Sequence, residues 1–101
     1  MSALQHASDE LDRGFAAGLI PFHMHDGVAH YVLKGIPPGD FMRLVLCNDF
    51  MGAAGRADEE NQRALFEWCR FLYNYVPGRC RGSPEAYSAW IAQGGMEGMG
   101  Q

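Results

Sequence analysis

FMRLVLCNDFM, residues 41–51, decides how this chain folds. On a helix, Phe41, Leu44 and Val45 make one apolar face, and Met42, Leu46 and Phe50 make another. A helix that is apolar on several faces has to be covered on several sides. The stretch therefore predicts a central helix over 38–54, closed by Gly55. Pro38 suits its first position, and Asp40 lies in the first turn, where negative charge meets the helix dipole favourably. Asn48 and Asp49 interrupt the pattern. A buried charge needs a partner, so Asp49 is expected on a polar edge, beside Arg43 or Arg56. A catalytic carboxylate is the competing reading, but no nucleophile or second carboxylate lies near it in sequence.

Working outward, Met24, Val28, Tyr31 and Val32 form a helical stripe over 22–34. Pro21 suits its start and Gly35 its left-handed end. Gly27 inside it costs roughly 1 kcal/mol relative to Ala, which a close helix–helix contact would explain. Downstream, Asp58 is a good cap for a helix over 58–75. Its inner stripe is read as Leu65, Trp68, Cys69, Leu72, Tyr75 and Val76, with a Glu59/Arg63 ion pair outside, and Pro77-Gly78 stops it. Ser83-Pro84-Glu85 is the clearest helix start in the chain and opens a helix over 84–92. Residues 1–20, weakened by Gly14 and Gly18, are expected as a weakly ordered arm, and 94–101 as a flexible Gly-rich tail. The expected architecture is all-α: one domain over 21–93, a bundle of about four helices.

The chain has 101 residues, 48% hydrophobic and 12% aromatic, enough for one core without a metal or disulfide staple. Its net charge of −4 is the wrong sign for general nucleic-acid binding. A local basic patch at Arg79 and Arg81 is all that favours such binding. Cys47, Cys69 and Cys80 are odd in number and form no CxxC, so they read as reduced cytosolic thiols. No basic segment precedes an apolar run at the start, so no secretory leader is expected. No apolar stretch is long enough to span a bilayer. The glycines form no phosphate loop, and no cofactor is expected.

Several residue sets carry candidate chemistry. In HMHDGVAH, residues 23–30, a helix would place His23, Asp26 and His30 on one side. Imidazoles and a carboxylate are reasonable zinc ligands. The outer pair, however, would span about 10.5 Å of rise, and a solvated helix face is the plainer reading. Cys80 lies between Arg79 and Arg81, which would lower its pKa, yet no histidine is near it in sequence to act as a base. Phe66, Phe71 and Tyr73 fall outside the inner stripe of 58–75. With Arg79 and Arg81 they are the candidate interface residues, for a homodimer or another partner. The competing reading covers that helix with the N-terminal arm and the last helix.

Residues 21–92 carry GIPPG-F at 35–41, NDF at 48–50, GRADEEN at 55–61, FLYNYVP at 71–77 and GSPEA–W at 82–90. With HMHDGVAHYVLKG before them, these resemble a family of small uncharacterised proteins of tailed phages and prophages. Arg81 departs from the pattern, which has an aromatic before GSPE. The resemblance implies a bacterial host cytoplasm and a role in host takeover or counter-defence, and it brings no functional residues with it. The expected function is that of a non-enzymatic accessory protein that binds a host protein or itself. A small metal-dependent enzyme using His23, Asp26 and His30 is the alternative.

Overall fold

The apolar run at 41–51 is broken in the middle. The computed structural model, which describes residues 2–99, replaces the expected helix over 38–54 with two. They are α3 (Asp40–Leu46) and α4 (Phe50–Arg56). The break is made by the two polar residues. Asn48 takes a left-handed conformation, φ 67°, which asparagine tolerates better than most residues. The Asp49 carboxylate then accepts from the Gly52 N–H at 2.9 Å and caps α4. Asp49 thus pairs with backbone, and Arg43 and Arg56 both reach Asp40 instead. Pro38 is not helical either: residues 35–39 are a non-helical connector and Gly39 is the cap. The expectation of centrality holds for α3, where Phe41, Met42, Val45 and Leu46 are buried.

The other expected helices are subdivided in the same way. Residues 22–34 form a 3-10 turn, Phe22–Met24, and then α2 (His25–Lys34), ended by Gly35 at φ 70°. Residues 58–75 form α5 (Glu59–Arg63) and α6 (Leu65–Tyr75), with a mild distortion at Ala64. Asp58 caps α5 through the Asn61 N–H at 2.8 Å. After a second 3-10 turn, Gly78–Cys80, the Ser83 hydroxyl accepts from Ala86 N–H and opens α7 (Pro84–Gln93). Among the described residues there is no strand, and the result is an all-helical globule. Its radius of gyration is 12.6 Å, against roughly 13 Å for a compact chain of this length.

Both ends differ from expectation. Most of the expected N-terminal arm is α1 (Ala3–Ala16), capped by Ser2 and burying Ala7, Leu11 and Gly14. Gly14 explains why: a Cβ there would fall 2.6 Å from Phe71 Cε1 and 2.8 Å from Tyr75 Cγ. The glycine that lowers local helix propensity is what lets α1 lie against α6, and tertiary packing overrides the propensity. In the expected tail, α8 (Gly95–Met99) follows Gly94, buries Met96 and pairs Glu97 with Lys34 at 3.1 Å. Residues 100 and 101 of that tail lie outside the described residues. A Cβ on Gly95 would come within 2.5 Å of the Gly35 nitrogen, so α8 meets the end of α2 backbone to backbone.

The core is knitted by its own polar groups. Trp90 Nε1–H donates to the Tyr31 carbonyl at 3.0 Å, and Tyr31 O–H donates to the Cys80 carbonyl at 2.7 Å. Trp68 Nε1–H donates to Asn61 Oδ1 at 2.9 Å. Each fully buried ring thus finds a partner for its polar atom, as burial requires.

Candidate interaction surface

The orientation of α6 follows from Trp68 and Asn61, seven residues apart and both buried, whose hydrogen bond fixes the inner face across the join from α5. That face continues through Phe71 and Leu72. It is rotated from the stripe expected from sequence. Phe71, a candidate interface residue, is 0% exposed and packs against Phe15 and Trp68. Cys69, expected inside, is exposed.

The opposite face carries two uncovered rings. Phe66 is 70% exposed and Tyr73 is 78% exposed. They are seven residues apart, about two helical turns, so they lie on one line. Cys69 and Arg70, both exposed, sit between them on either flank. Arg81 places its guanidinium carbon 5.9 Å from the centre of the Tyr73 ring, a cation–π approach, and its Nε is buried without a hydrogen-bond partner. Beside Tyr73 a groove of about 250 Å3 is walled by Val45, Phe50, Cys69, Leu72 and Arg81. Arg79 lies elsewhere, lining a second groove of about 360 Å3 with His6, Glu10, Tyr75, Trp90 and Met99. The two arginines thus line different grooves and do not build one basic patch. Of the five candidate interface residues, Phe66 and Tyr73 share one exposed face of α6 and Arg81 lies against Tyr73.

The histidines disperse. His23 sits in the 3-10 turn, where its Nε2 is 3.0 Å from Asp58 Oδ2 and its Nδ1 is 3.8 Å from Glu60 Oε1. It therefore turns toward the start of α5 rather than toward Asp26 and His30, which are exposed on α2. His25 stacks on Phe15 with ring centres 4.1 Å apart. Among the described residues no group of three or more His, Cys, Asp or Glu side chains could hold a metal ion. The Asp58 carboxyl is held below its ordinary value, chiefly by the Asn61 N–H; desolvation opposes this, and His23 adds to the lowering.

Cys80 reverses its sequence-based expectation. It is fully buried, and burial pushes its thiol up to about 12, with Arg81 only partly offsetting this. Its Sγ donates to the Pro77 carbonyl at 3.1 Å, so it is a core residue. Burial also raises the Cys47 thiol. Among the described residues no helix is long and apolar enough to cross a membrane. Comparison of the chain with protein-family models, with curated proteins and with solved structures finds no match.

Proposed function

We propose that this chain is a non-enzymatic accessory protein of the tailed-phage and prophage kind that its motifs resemble. It acts by protein–protein interaction through the outer face of α6, in the cytoplasm of a bacterial host, and serves host takeover or counter-defence. The observation that carries this reading is the alignment of Phe66 and Tyr73 on one helix face, each with most of its surface open to water. Large rings gain most by leaving water and are enriched at protein interfaces. The groove beside Tyr73 and the arginine against its ring add shape and charge to the same face. The alternative, a metal-dependent enzyme on His23, Asp26 and His30, has less in its favour, since His23 turns to Asp58.

Affinity capture from a bacterial host lysate tests the reading, with the wild type and Phe66→Glu/Tyr73→Glu as parallel baits. The expected result is a protein enriched on the wild type and lost from the variant, both melting alike. Identical enrichment on both baits would remove α6 from the function.

A further inference from the structure

The chain carries an excess of acid, a net charge of −4, yet it leaves some of its arginines unpaired. Among the described residues Arg13, Arg43, Arg56 and Arg63 each meet a carboxylate of the chain, while Arg70, Arg79 and Arg81 enter no ion pair. Two of these three stand at Tyr73. Arg70 precedes it by three residues on α6, the spacing of neighbours on a helix surface. Arg81 holds its guanidinium carbon 5.9 Å from the ring centre. Arg81 is half-buried, and its Nε–H lies out of reach of water with no acceptor. Buried donors are nearly always satisfied, so this guanidinium is placed by the Tyr73 ring and not by an oxygen of its own chain.

The groove beside Tyr73 has the same bias. Val45, Phe50 and Leu72 make its apolar walls, and the Asn48 amide, the Cys69 thiol and the Arg81 guanidinium are polar groups that can donate into it. Arg81 brings the charge, and no carboxylate is among the described wall residues. The acids nearest in sequence are turned elsewhere. Asp49 accepts from the Gly52 N–H, Glu59 meets Arg63, and Glu67 lies about 160° around the helix from Cys69. The groove therefore offers apolar surface, unclaimed donors and positive charge, which a carboxylate beside an apolar side chain complements. A nucleic acid would bring a row of phosphates against an acidic chain. A small molecule filling about 250 Å3 would leave Phe66 bare, two helical turns from Tyr73. A peptide segment covers both.

We propose that the partner docks through an acidic peptide segment, with an aspartate or glutamate carboxylate received by Arg81 and a neighbouring apolar side chain seated in the groove beside Tyr73. The inference rests on the reading that the outer face of α6 binds protein, and it names the chemistry of what binds there. A guanidinium stacked on a ring keeps its edge free to donate in its own plane, where it takes both oxygens of one carboxylate. Arg70 adds positive charge along the same helix. Cys69, in the groove wall, is exposed, whereas Cys47 is half-buried and Cys80 buried, so its thiol reports on occupancy.

The test is a titration of the full, isotope-labelled chain with a short peptide, acetylated and amidated at its ends, that carries glutamate and leucine in a glycine–serine background. Matched peptides carry glutamine or lysine in place of glutamate. With the glutamate peptide, amide shifts at Cys69, Tyr73, Arg81 and Gly82 should move with a dissociation constant between about 1 μM and about 1 mM, and alkylation of Cys69 by a maleimide should slow. Binding should weaken at least roughly tenfold in Arg81→Gln and with the glutamine peptide, survive in part in Arg81→Lys, and decline as salt screens the pair. Should Arg81→Gln melt below the wild type, the comparison of the three peptides decides alone. Equal binding of all three, or none up to about 1 mM, would overturn the proposal. So would a thymidine oligonucleotide that binds as tightly as the glutamate peptide, since the site would then take any anion. If the peptides fail but Phe66→Glu/Tyr73→Glu still loses a captured host protein, the acidic segment falls and the protein-binding face stands. If capture is also unaffected, both fall.

Discussion

Removing the Trp68–Asn61 hydrogen bond should loosen the whole molecule, because that bond sets which side of α6 faces inward. Trp68 is fully buried, edge-on to Phe41 with ring centres 5.5 Å apart and to Phe71 at 6.3 Å. Trp68→Ala removes that packing and should cost about 3–5 kcal/mol, a large share of the roughly 5–15 kcal/mol that holds a domain folded. Trp68→Phe is the more discriminating change. It keeps most of the ring but leaves Asn61 Oδ1 without a donor in a residue only 2% exposed. An orphaned buried acceptor costs about 1–3 kcal/mol, and each kcal/mol lowers the melting temperature by about 4–8 °C in a domain of this size. Asn61→Ala orphans the indole N–H instead and should cost a similar amount. The double variant Asn61→Ala/Trp68→Phe leaves neither group orphaned, so it should be more stable than the sum predicts by about 0.5–3 kcal/mol. Urea unfolding followed by far-UV circular dichroism measures all four proteins. Strictly additive losses would refute the idea that this hydrogen bond organises the join.

Gly95→Ala would force a Cβ against the backbone of Lys34 and Gly35 at φ 68°, so it should cost about 1–3 kcal/mol. Gly55→Ala, with open space around it inside α4, should stabilise by about 0.5–1 kcal/mol; thermal melts giving the same sign for both would contradict the docking of α8. With a thiol reagent near pH 8, Cys69 should react in the native protein and Cys80 only on unfolding, given its thiol pushed up to about 12; labelling of Cys80 first would contradict its burial. Asp58 has a folded pKa held below the unfolded value of about 3.9. Its contribution is therefore present above that value and lost as pH falls through the folded one. Asp58→Asn should flatten the acid limb of stability measured by circular dichroism, and an unchanged acid limb would show that the Asn61 and His23 contacts do not hold in solution.

The features legible in the sequence are those set within a few residues. Gly35 as a left-handed end, Asp58 and Ser83 as caps, and the Val28–Tyr31–Val32 stripe all stand where the pattern put them. Asn48-Asp49 was legible in principle, since an asparagine tolerant of positive φ followed by a capping aspartate is itself a stop and a start. Hydrophobic periodicity outweighs it, and the pattern reads as one helix where the structure has two. Other features depend on partners far away in sequence. Gly14 argues against a helix until Phe71 and Tyr75 require the close approach. Cys80 is ranked by its arginine neighbours until burial beside Tyr31 outweighs them. The inner face of α6 was misread by a rotation that exchanged Phe71 and Cys69, because Cys69 fits an apolar stripe by residue type alone. The Trp68–Asn61 bond that decides the matter is seven residues long and needs the fold to be seen.

The most direct test of the central claim, that the outer face of α6 is the working surface, is mapping of amide chemical shifts of the isotope-labelled chain in a bacterial host lysate, with the wild type and Phe66→Glu/Tyr73→Glu side by side. In the wild type, signals of residues 66–73 and around Arg81 and Gly82 should shift or broaden, and in the variant they should stay put. The groove lined by His6, Arg79 and Met99 should stay silent. Changes confined to that groove, or none anywhere, would contradict the account.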